Sequence, residues 1–267
     1  MAWFAGLLRA ARSWAGSGLD LVCPPRCVFC GAEPRRGARD RSPAARDAAG
    51  QETAPAAGRG MTVCPDCRRR LTTDGPRCQR CGEPGLTEQC RRCRGRRHWD
   101  GIVVLSAYAD DLRDAVLRCK RPAGEVLAAT LADLLVQKHC DTLLAWRIGV
   151  VVPVPMHWLR RMRRGTSAAG ELARGLARGL GVPCRPLLRR HRSTRMQNEF
   201  PIEDRPANVR GAFRAVGDLG GARVLLVDDV VTSGATLADC RRALAAAGAS
   251  AVFAAVVARA DHRPPDG

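Results

Sequence analysis

The chain has 267 residues, 46% hydrophobic and only 4% aromatic, with a formal charge of +18. That is enough for one ordinary domain plus a small module, with a core resting on Ala, Val and Leu. No apolar run reaches the roughly eighteen residues of a membrane span. Residues 1–22 are interrupted by Arg9 and Arg12 and lead to no clean cleavage site, so the sequence predicts a cytoplasmic protein without a secretory signal. The charge favours polyanions, either nucleic acid or phosphorylated molecules. Its weight is tempered by bias: of 44 basic residues only Lys120 and Lys138 are lysine, as a GC-rich genome would produce.

Residues 2–15 place Trp3, Leu7, Leu8 and Trp14 among alanines and arginines, the pattern of a short amphipathic helix. Docking on its own protein is the favoured reading, with a membrane surface as the alternative. Thirteen cysteines follow in the chain, eight of them in four C-x-x-C pairs: Cys27/Cys30, Cys64/Cys67, Cys78/Cys81 and Cys90/Cys93. Each such turn can bring two thiolates to one metal, and two turns complete a tetrahedral Cys₄ site, so the spacing predicts two structural zinc ions rather than disulfides. Thioredoxin-like redox chemistry is the weaker alternative, because no βαβ pattern surrounds the pairs. Consecutive pairing is the natural arrangement, and interleaved pairing is compatible with the same spacing. Gly31 and Gly82 directly follow Cys30 and Cys81, where such a turn often needs positive φ. Cys23 has no evident partner.

Residues 33–61 are rich in Ala, Arg, Gly and Pro without periodicity, which predicts a disordered insertion inside the first ribbon. Loop closure tolerates it, because its cost grows slowly with length. The expected organisation is therefore an N-terminal segment, 1–22; a double zinc ribbon, 23–98; and an α/β domain, 99–267.

In that last part strands and helices alternate. Strands are expected at 102–108, 148–154, 223–227 and 250–257, and helices at 110–120, 125–138, 167–180 and 236–247, with an irregular segment reaching Phe213. Alternation of this kind predicts a parallel sheet with right-handed crossovers. Ligands in such sheets bind beyond the carboxyl ends of the strands. The strand after Ile148 ends in Pro153-Val154-Pro155, followed by Arg160, Arg161 and Arg164. Between residues 157 and 195 stand eleven arginines and one acid, Glu171. That run fits pyrophosphate, nucleic acid or plain solvation, and the sequence does not choose. His157 is a general-base candidate by position only, with a surface histidine the plainer reading.

The most informative stretch is Val224-Leu225-Leu226-Val227-Asp228-Asp229-Val230-Val231-Thr232-Ser233-Gly234-Ala235-Thr236-Leu237. An apolar strand runs into two carboxylates, then a hydroxyl-rich loop with one glycine, then a helix. A loop entering a helix N-terminus offers free backbone N–H groups to a phosphate. Gly234 permits close approach, and Thr232, Ser233 and Thr236 can donate hydroxyls. Asp228 and Asp229 would repel that phosphate, but could accept from sugar hydroxyls or help hold Mg²⁺. Together these predict a site for a sugar 5′-phosphate, the alternative being an acidic pair that merely caps the helix.

This stretch resembles the phosphoribosyl pyrophosphate motif of type I phosphoribosyltransferases. By that resemblance Asp228 and Asp229 contact ribose hydroxyls, and Val231, Thr232, Ser233, Gly234, Ala235 and Thr236 hold the 5′-phosphate. Further landmarks agree in order: Pro-Pro-Arg-Cys before the cysteine pairs, Asp111-Leu112-Arg113 with Lys120 ahead, Val152-Pro153-Val154-Pro155, Arg164-Gly165, and Asn208-Val209-Arg210-Gly211-Ala212-Phe213. Together they resemble the ComF family, which joins a double zinc ribbon to a phosphoribosyltransferase-like domain and is linked to competence and the handling of single-stranded DNA. Where that family usually has Arg-Gly-Phe-Asn-Gln, this chain has Arg164-Gly165-Thr166-Ser167-Ala168, losing the aromatic and both amides.

Three classes of function follow. In the first, an enzyme binds phosphoribosyl pyrophosphate with Mg²⁺ and transfers ribosyl phosphate, with Val154, Pro155, Arg160, Arg161 and Arg164 on the pyrophosphate. In the second, a non-catalytic protein holds single-stranded DNA or RNA, although one tyrosine in the whole chain offers little base stacking. In the third, the ribbons dock a partner, of which the resemblance suggests a competence helicase-type protein.

Overall fold

The computed structural model describes residues 26–33, 45–46, 52–53, 61–73, 75–88, 90, 93, 99–121, 123–156, 167–191 and 211–261. The expected N-terminal helix, Cys23, His157, Arg160, Arg161 and Arg164 lie outside the described residues. The chain divides into two compact units, Met1–Arg68 and Arg69–Gly267. The two cysteine groups fall on opposite sides of that division.

The first unit holds short ladders. β1 (Arg26–Cys27) pairs in parallel with β4 (Met61–Thr62). Within the expected insertion, β2 (Ala45–Arg46) pairs antiparallel with β3 (Glu52–Thr53). Helix α1 (Pro65–Thr72) starts on a proline, whose fixed φ suits a first helical position.

The second unit is built on a four-stranded parallel sheet. Its strands are β5 (Gly101–Ala107), β6 (Val150–Pro153), β9 (Arg223–Val231) and β10 (Ala251–Arg259), in the spatial order β5-β10-β9-β6. β10 and the 224–227 part of β9 are apolar runs because helices cover both faces, as parallel sheets require. Ile102, Val104, Val152, Leu226 and Ala254 share one face and form one core with Leu237, Cys240 and Leu244 of α6 (Ala235–Ala246). The opposite face carries α2 (Asp110–Cys119), α3 (Glu125–Lys138) and α5 (Ala168–Leu180), and a short α4 (Cys140–Ala145) leads into β6. Helices α3 and α5 pack closely: a methyl group added at Gly175 would lie 2.6 Å from the Ala132 Cβ. Ser167 caps α5 by accepting from the Gly170 N–H, and Gly181 ends it in the left-handed conformation.

Two regions depart from the sequence expectation. The segment after α5 is not wholly irregular: β7 (Leu188–Arg190) pairs antiparallel with β8 (Phe213–Ala215), and their inner side chains Leu188 and Phe213 join the core under α6. The expected strand 223–227 does not stop at the first acid but runs on to Val231. β10 extends alongside it to Arg259, pairing Ala258 with Val230 and Arg259 with Val231.

Candidate functional site

The site follows from where the strand connections diverge. From β6 the chain passes through α5 to Cys184, which bridges to Val151 on the side of β6 away from β9. From β9 it passes through α6 to β10, in the opposite direction. Loops leaving two neighbouring strands in opposite directions open a crevice at their carboxyl ends, the usual ligand position of such sheets. Val154 and Pro155 follow directly on β6 at this end. The Val154 N–H donates to the Val227 carbonyl at 2.9 Å, and the β6 register ends there, at Pro153 opposite Val227. Asp228 to Val231 are then paired on the β10 side.

Successive strand residues face opposite ways. Asp228 falls on the α6 side, where its charge is felt by the buried Cys240 thiol. Its carboxylate accepts the Asp229 N–H at 2.9 Å. Burial, and then the neighbouring Asp229 charge, push the Asp228 carboxyl well above the usual range, with Lys120 pulling the other way. Asp229 accepts the Val230 N–H at 2.8 Å and forms an ion pair with Lys120 at 2.9 Å. An adjacent pair of acids in which one resists ionisation is a costly arrangement for a fold, and such arrangements cluster at functional sites.

The loop that follows turns sharply. Val231 is buried, Thr232, Ser233, Gly234, Ala235 and Thr236 are half-buried, and Leu237 anchors the helix in the core. Gly234 is the N-cap of α6 at φ +80°, and the space around it is open, so its conformation and not crowding demands glycine. The Ser233 hydroxyl accepts the Ala235 N–H at 3.4 Å. No acidic side chain stands in the first turn, which leaves the positive end of the helix available to an anion.

The sequence reading missed Asp239. It is 2% exposed on α6 and accepts the Gly211 N–H at 2.8 Å and the Phe213 N–H at 3.1 Å, with Arg242 paired to the same carboxylate. One acid thus pins the Gly211-Ala212-Phe213 segment to the helix that carries the loop. The available signal was an acid in an otherwise Ala/Leu-rich helix. Asp239→Ala should destabilise by about 3 kcal/mol, because two backbone donors and an arginine lose their acceptor. Thermal unfolding would show this as a fall of roughly 6–12 °C for a unit of this size.

The cysteines gather in chain order: Cys27, Cys30, Cys64 and Cys67 form one group, and Cys78, Cys81, Cys90 and Cys93 the other, all sulfurs of a group lying within 4.8 Å. A tetrahedral ion bound at about 2.3 Å needs sulfurs roughly 3.8 Å apart. The observed separations are 3.8 Å for Cys30–Cys64, 3.7 Å for Cys78–Cys93 and 3.5 Å for Cys81–Cys90. Both groups could therefore hold zinc. Gly31 and Gly82 stand at φ +74° and +77°. Burial pushes the Cys93 thiol up to about 11 and Cys81 further still, so without a cation the second group does not carry four thiolates. In the first group burial opposes ionisation of Cys27, but N–H groups of Cys64, Cys30 and Phe29 outweigh it and bring the thiol down to about 6.

The second group is bonded into the sheet unit. Gln79 accepts the Ile102 N–H at 2.8 Å. Arg259, 2% exposed at the end of β10, donates to the Cys81 carbonyl at 2.8 Å and pairs with Glu83. Arg77 grips Asp261 through two bonds of 2.8 and 3.0 Å and also donates to the Gly82 carbonyl.

Residues 124–266 match the phosphoribosyl transferase domain family. The chain is 28% identical over 208 residues to Competence protein F of Haemophilus influenzae, covering 74% of this chain and 90% of that protein. It is 32% identical over 200 residues to the DNA utilization protein YhgH of Salmonella typhimurium, covering 71% and 87%. It is 26% identical over 199 residues to Competence protein ComFC of Bacillus subtilis, covering 71% and 80%. Among the described residues no helix is long and apolar enough to cross a membrane.

Proposed function

We propose that this chain, which belongs to the ComF family of phosphoribosyltransferase-domain proteins, binds phosphoribosyl pyrophosphate or a related ribose 5-phosphate ligand in the crevice between β6 and β9. The observation that carries this reading is the continuity of the acidic pair, the left-handed Gly234 and a first turn of α6 without acidic side chains along one stretch of chain. Loop N–H groups and hydroxyls from Val231 to Thr236 take the 5′-phosphate, and Asp228 and Asp229 accept from the ribose hydroxyls. Mg²⁺ would be carried by the pyrophosphate and would offset its charge, with Val154, Pro155, Arg160, Arg161 and Arg164 the residues assigned to that group. Ribosyl transfer in such a site needs positioning and charge stabilisation of the leaving group more than an acid–base residue. The two cysteine groups hold structural zinc, and a cytoplasmic setting suits unoxidised thiolates.

The names of the relatives, competence protein and DNA utilization protein, support a role in competence and DNA utilization. A second reading, direct contact with single-stranded DNA, draws on the β7–β8 ladder. There Arg189 and Arg214 stand directly opposite one another and both are exposed. Like charges in that relation are unfavourable unless an anion lies between them.

Calorimetry of the zinc-loaded protein with phosphoribosyl pyrophosphate and Mg²⁺ tests the first reading. Wild type is expected to bind in the micromolar range, about −8 kcal/mol, and Asp228→Asn/Asp229→Asn to bind at least about tenfold more weakly, a loss of 1.4 kcal/mol or more. Heat of binding that is absent from the wild type, or unchanged in the double variant, would overturn it.

A further inference from the structure

The chain uses arginine almost without exception, and its two lysines are the exceptions to explain. Lys138 donates to two main-chain carbonyls, Leu105 at 2.5 Å and Thr72 at 2.9 Å, a task for a compact ammonium. Lys120 is the C-cap of α2, where any cation would suit the helix terminus. It does more than cap. Its ammonium stands 2.9 Å from Asp229 Oδ2, with 27% of the lysine and 20% of the aspartate side chain exposed.

That pair decides how a sugar can use Asp229. Oδ1 already accepts the Val230 N–H, and Oδ2 already holds the lysine. Each oxygen has one acceptor position left, so ribose hydroxyls that bind there share Oδ2 with the ammonium and weaken its hold on Asp229. A fixed arginine fork would defend its position through two parallel bonds, whereas an ammonium is a point charge with three rotatable donors and leaves one acceptor for another at little geometric cost. The crevice ligand is itself anionic, so a displaced ammonium has somewhere to go.

We infer that Lys120 is the exchangeable counter-ion of this site: it neutralises Asp229 in the absence of ligand and moves to an anionic group of the ligand when the sugar hydroxyls take over that carboxylate. The inference rests on the sugar-phosphate reading of the crevice. It makes Lys120 a positioning residue whose exchange favours ligands carrying both vicinal hydroxyls and a phosphate near them. A phosphate or a sugar alone satisfies half of the exchange and leaves either Asp229 or Lys120 without a full partner.

Having two lysines makes the test direct. Protein labelled with ¹³C,¹⁵N-lysine gives two side-chain signals, assigned with Lys120→Met, and Lys138 serves as an internal control. Phosphoribosyl pyrophosphate with Mg²⁺ should shift the Lys120 Cε and Nζ signals and leave those of Lys138 in place. Ribose 5-phosphate should shift them in the same direction, and inorganic phosphate should not. Lys120→Met should weaken phosphoribosyl pyrophosphate about tenfold or more, and Lys120→Arg should recover part of that loss but not all. Ligand binding by calorimetry with an unmoved Lys120 signal would overturn the exchange while leaving the site reading intact. Wild-type protein that binds neither sugar phosphate would overturn the site reading and the exchange together, and the pair would then be a fixed structural bridge. Should Lys120→Met fail to fold, Lys120→Arg or Lys138→Arg gives the same assignment, and the wild-type signals decide the matter.

Discussion

Replacing Cys81 and Cys90 by serine should lower the melting temperature of the 69–267 unit by about 10 °C or more, and the matching change at Cys30 and Cys64 should cost that unit much less. The contrast comes from what each group is bonded to. The second group is bound to the sheet by Gln79 on β5, by Arg259 reaching the Cys81 carbonyl and Glu83, and by Arg77 on Asp261. These bonds need the knuckle closed. Structural zinc contributes on the order of 10 kcal/mol in isolated fingers, and even half of that exceeds what a unit of this size can lose unnoticed, at roughly 2–4 °C per kcal/mol. Opening the knuckle would also leave Arg259 buried at the end of β10 with its carboxylate and carbonyl partners displaced, which is costly in its own right. Differential scanning calorimetry with the two double variants measures it. A shift at the second group no larger than at the first would mean that the knuckle is an appendage. The loss should also reach the proposed ligand crevice, because Arg259 pairs with Val231, which opens the proposed phosphate loop.

That connection shows where the sequence was readable. Local patterns were: α3 runs from Glu125 to Lys138 as its periodicity and its flanking Pro122 and Gly124 require, and the apolar run at 224–227 is a buried strand. The consecutive grouping of the cysteines agrees with the simplest of the open pairings. What stayed hidden depends on partners far away in the chain. Nothing in Asp228-Asp229-Val230-Val231 says that a strand continues through two acids. It does so because β10 pairs alongside to Arg259, twenty-eight residues beyond Val231 (259 − 231 = 28). Leu188-Arg189-Arg190 looks like a basic loop until Phe213-Arg214-Ala215 lies against it. The sequence reading did not single out Asp239 or Arg259 and had Lys120 only as a landmark, and each acquires its role from a group on another element. Phosphate-loop chemistry is local and motif-like, whereas the residues that brace the loop are set by topology.

Asp228→Asn should make the protein more stable at neutral pH and at the same time poorer at holding a sugar phosphate. Burial, and then the adjacent Asp229, raise the folded-state pKa of Asp228 well above its unfolded value. The folded chain therefore binds that proton more tightly than the unfolded chain. The resulting stabilisation is fully present below the unfolded pKa of about 3.9 and is lost as pH rises through the higher folded value. At pH 7 wild type thus carries a half-buried carboxyl beside a second acid, which the unfolded chain would ionise freely in water, and asparagine removes that penalty. The amide oxygen still accepts the Asp229 N–H, so the backbone bond survives. Stabilising single substitutions commonly yield about 0.5–2 kcal/mol, which for a unit of this size is a rise of roughly 1–8 °C. The gain should shrink as pH falls toward 4, where wild type holds its proton in either state. Melting curves of both proteins between pH 4 and 8 give the comparison. A variant less stable than wild type at pH 7, or a difference that does not change with pH, would show that Asp228 is already ionised and satisfied in the fold. An Asp228→Asn protein that melts higher yet binds phosphoribosyl pyrophosphate more weakly would mean that the acid is kept for the ligand at the expense of the fold.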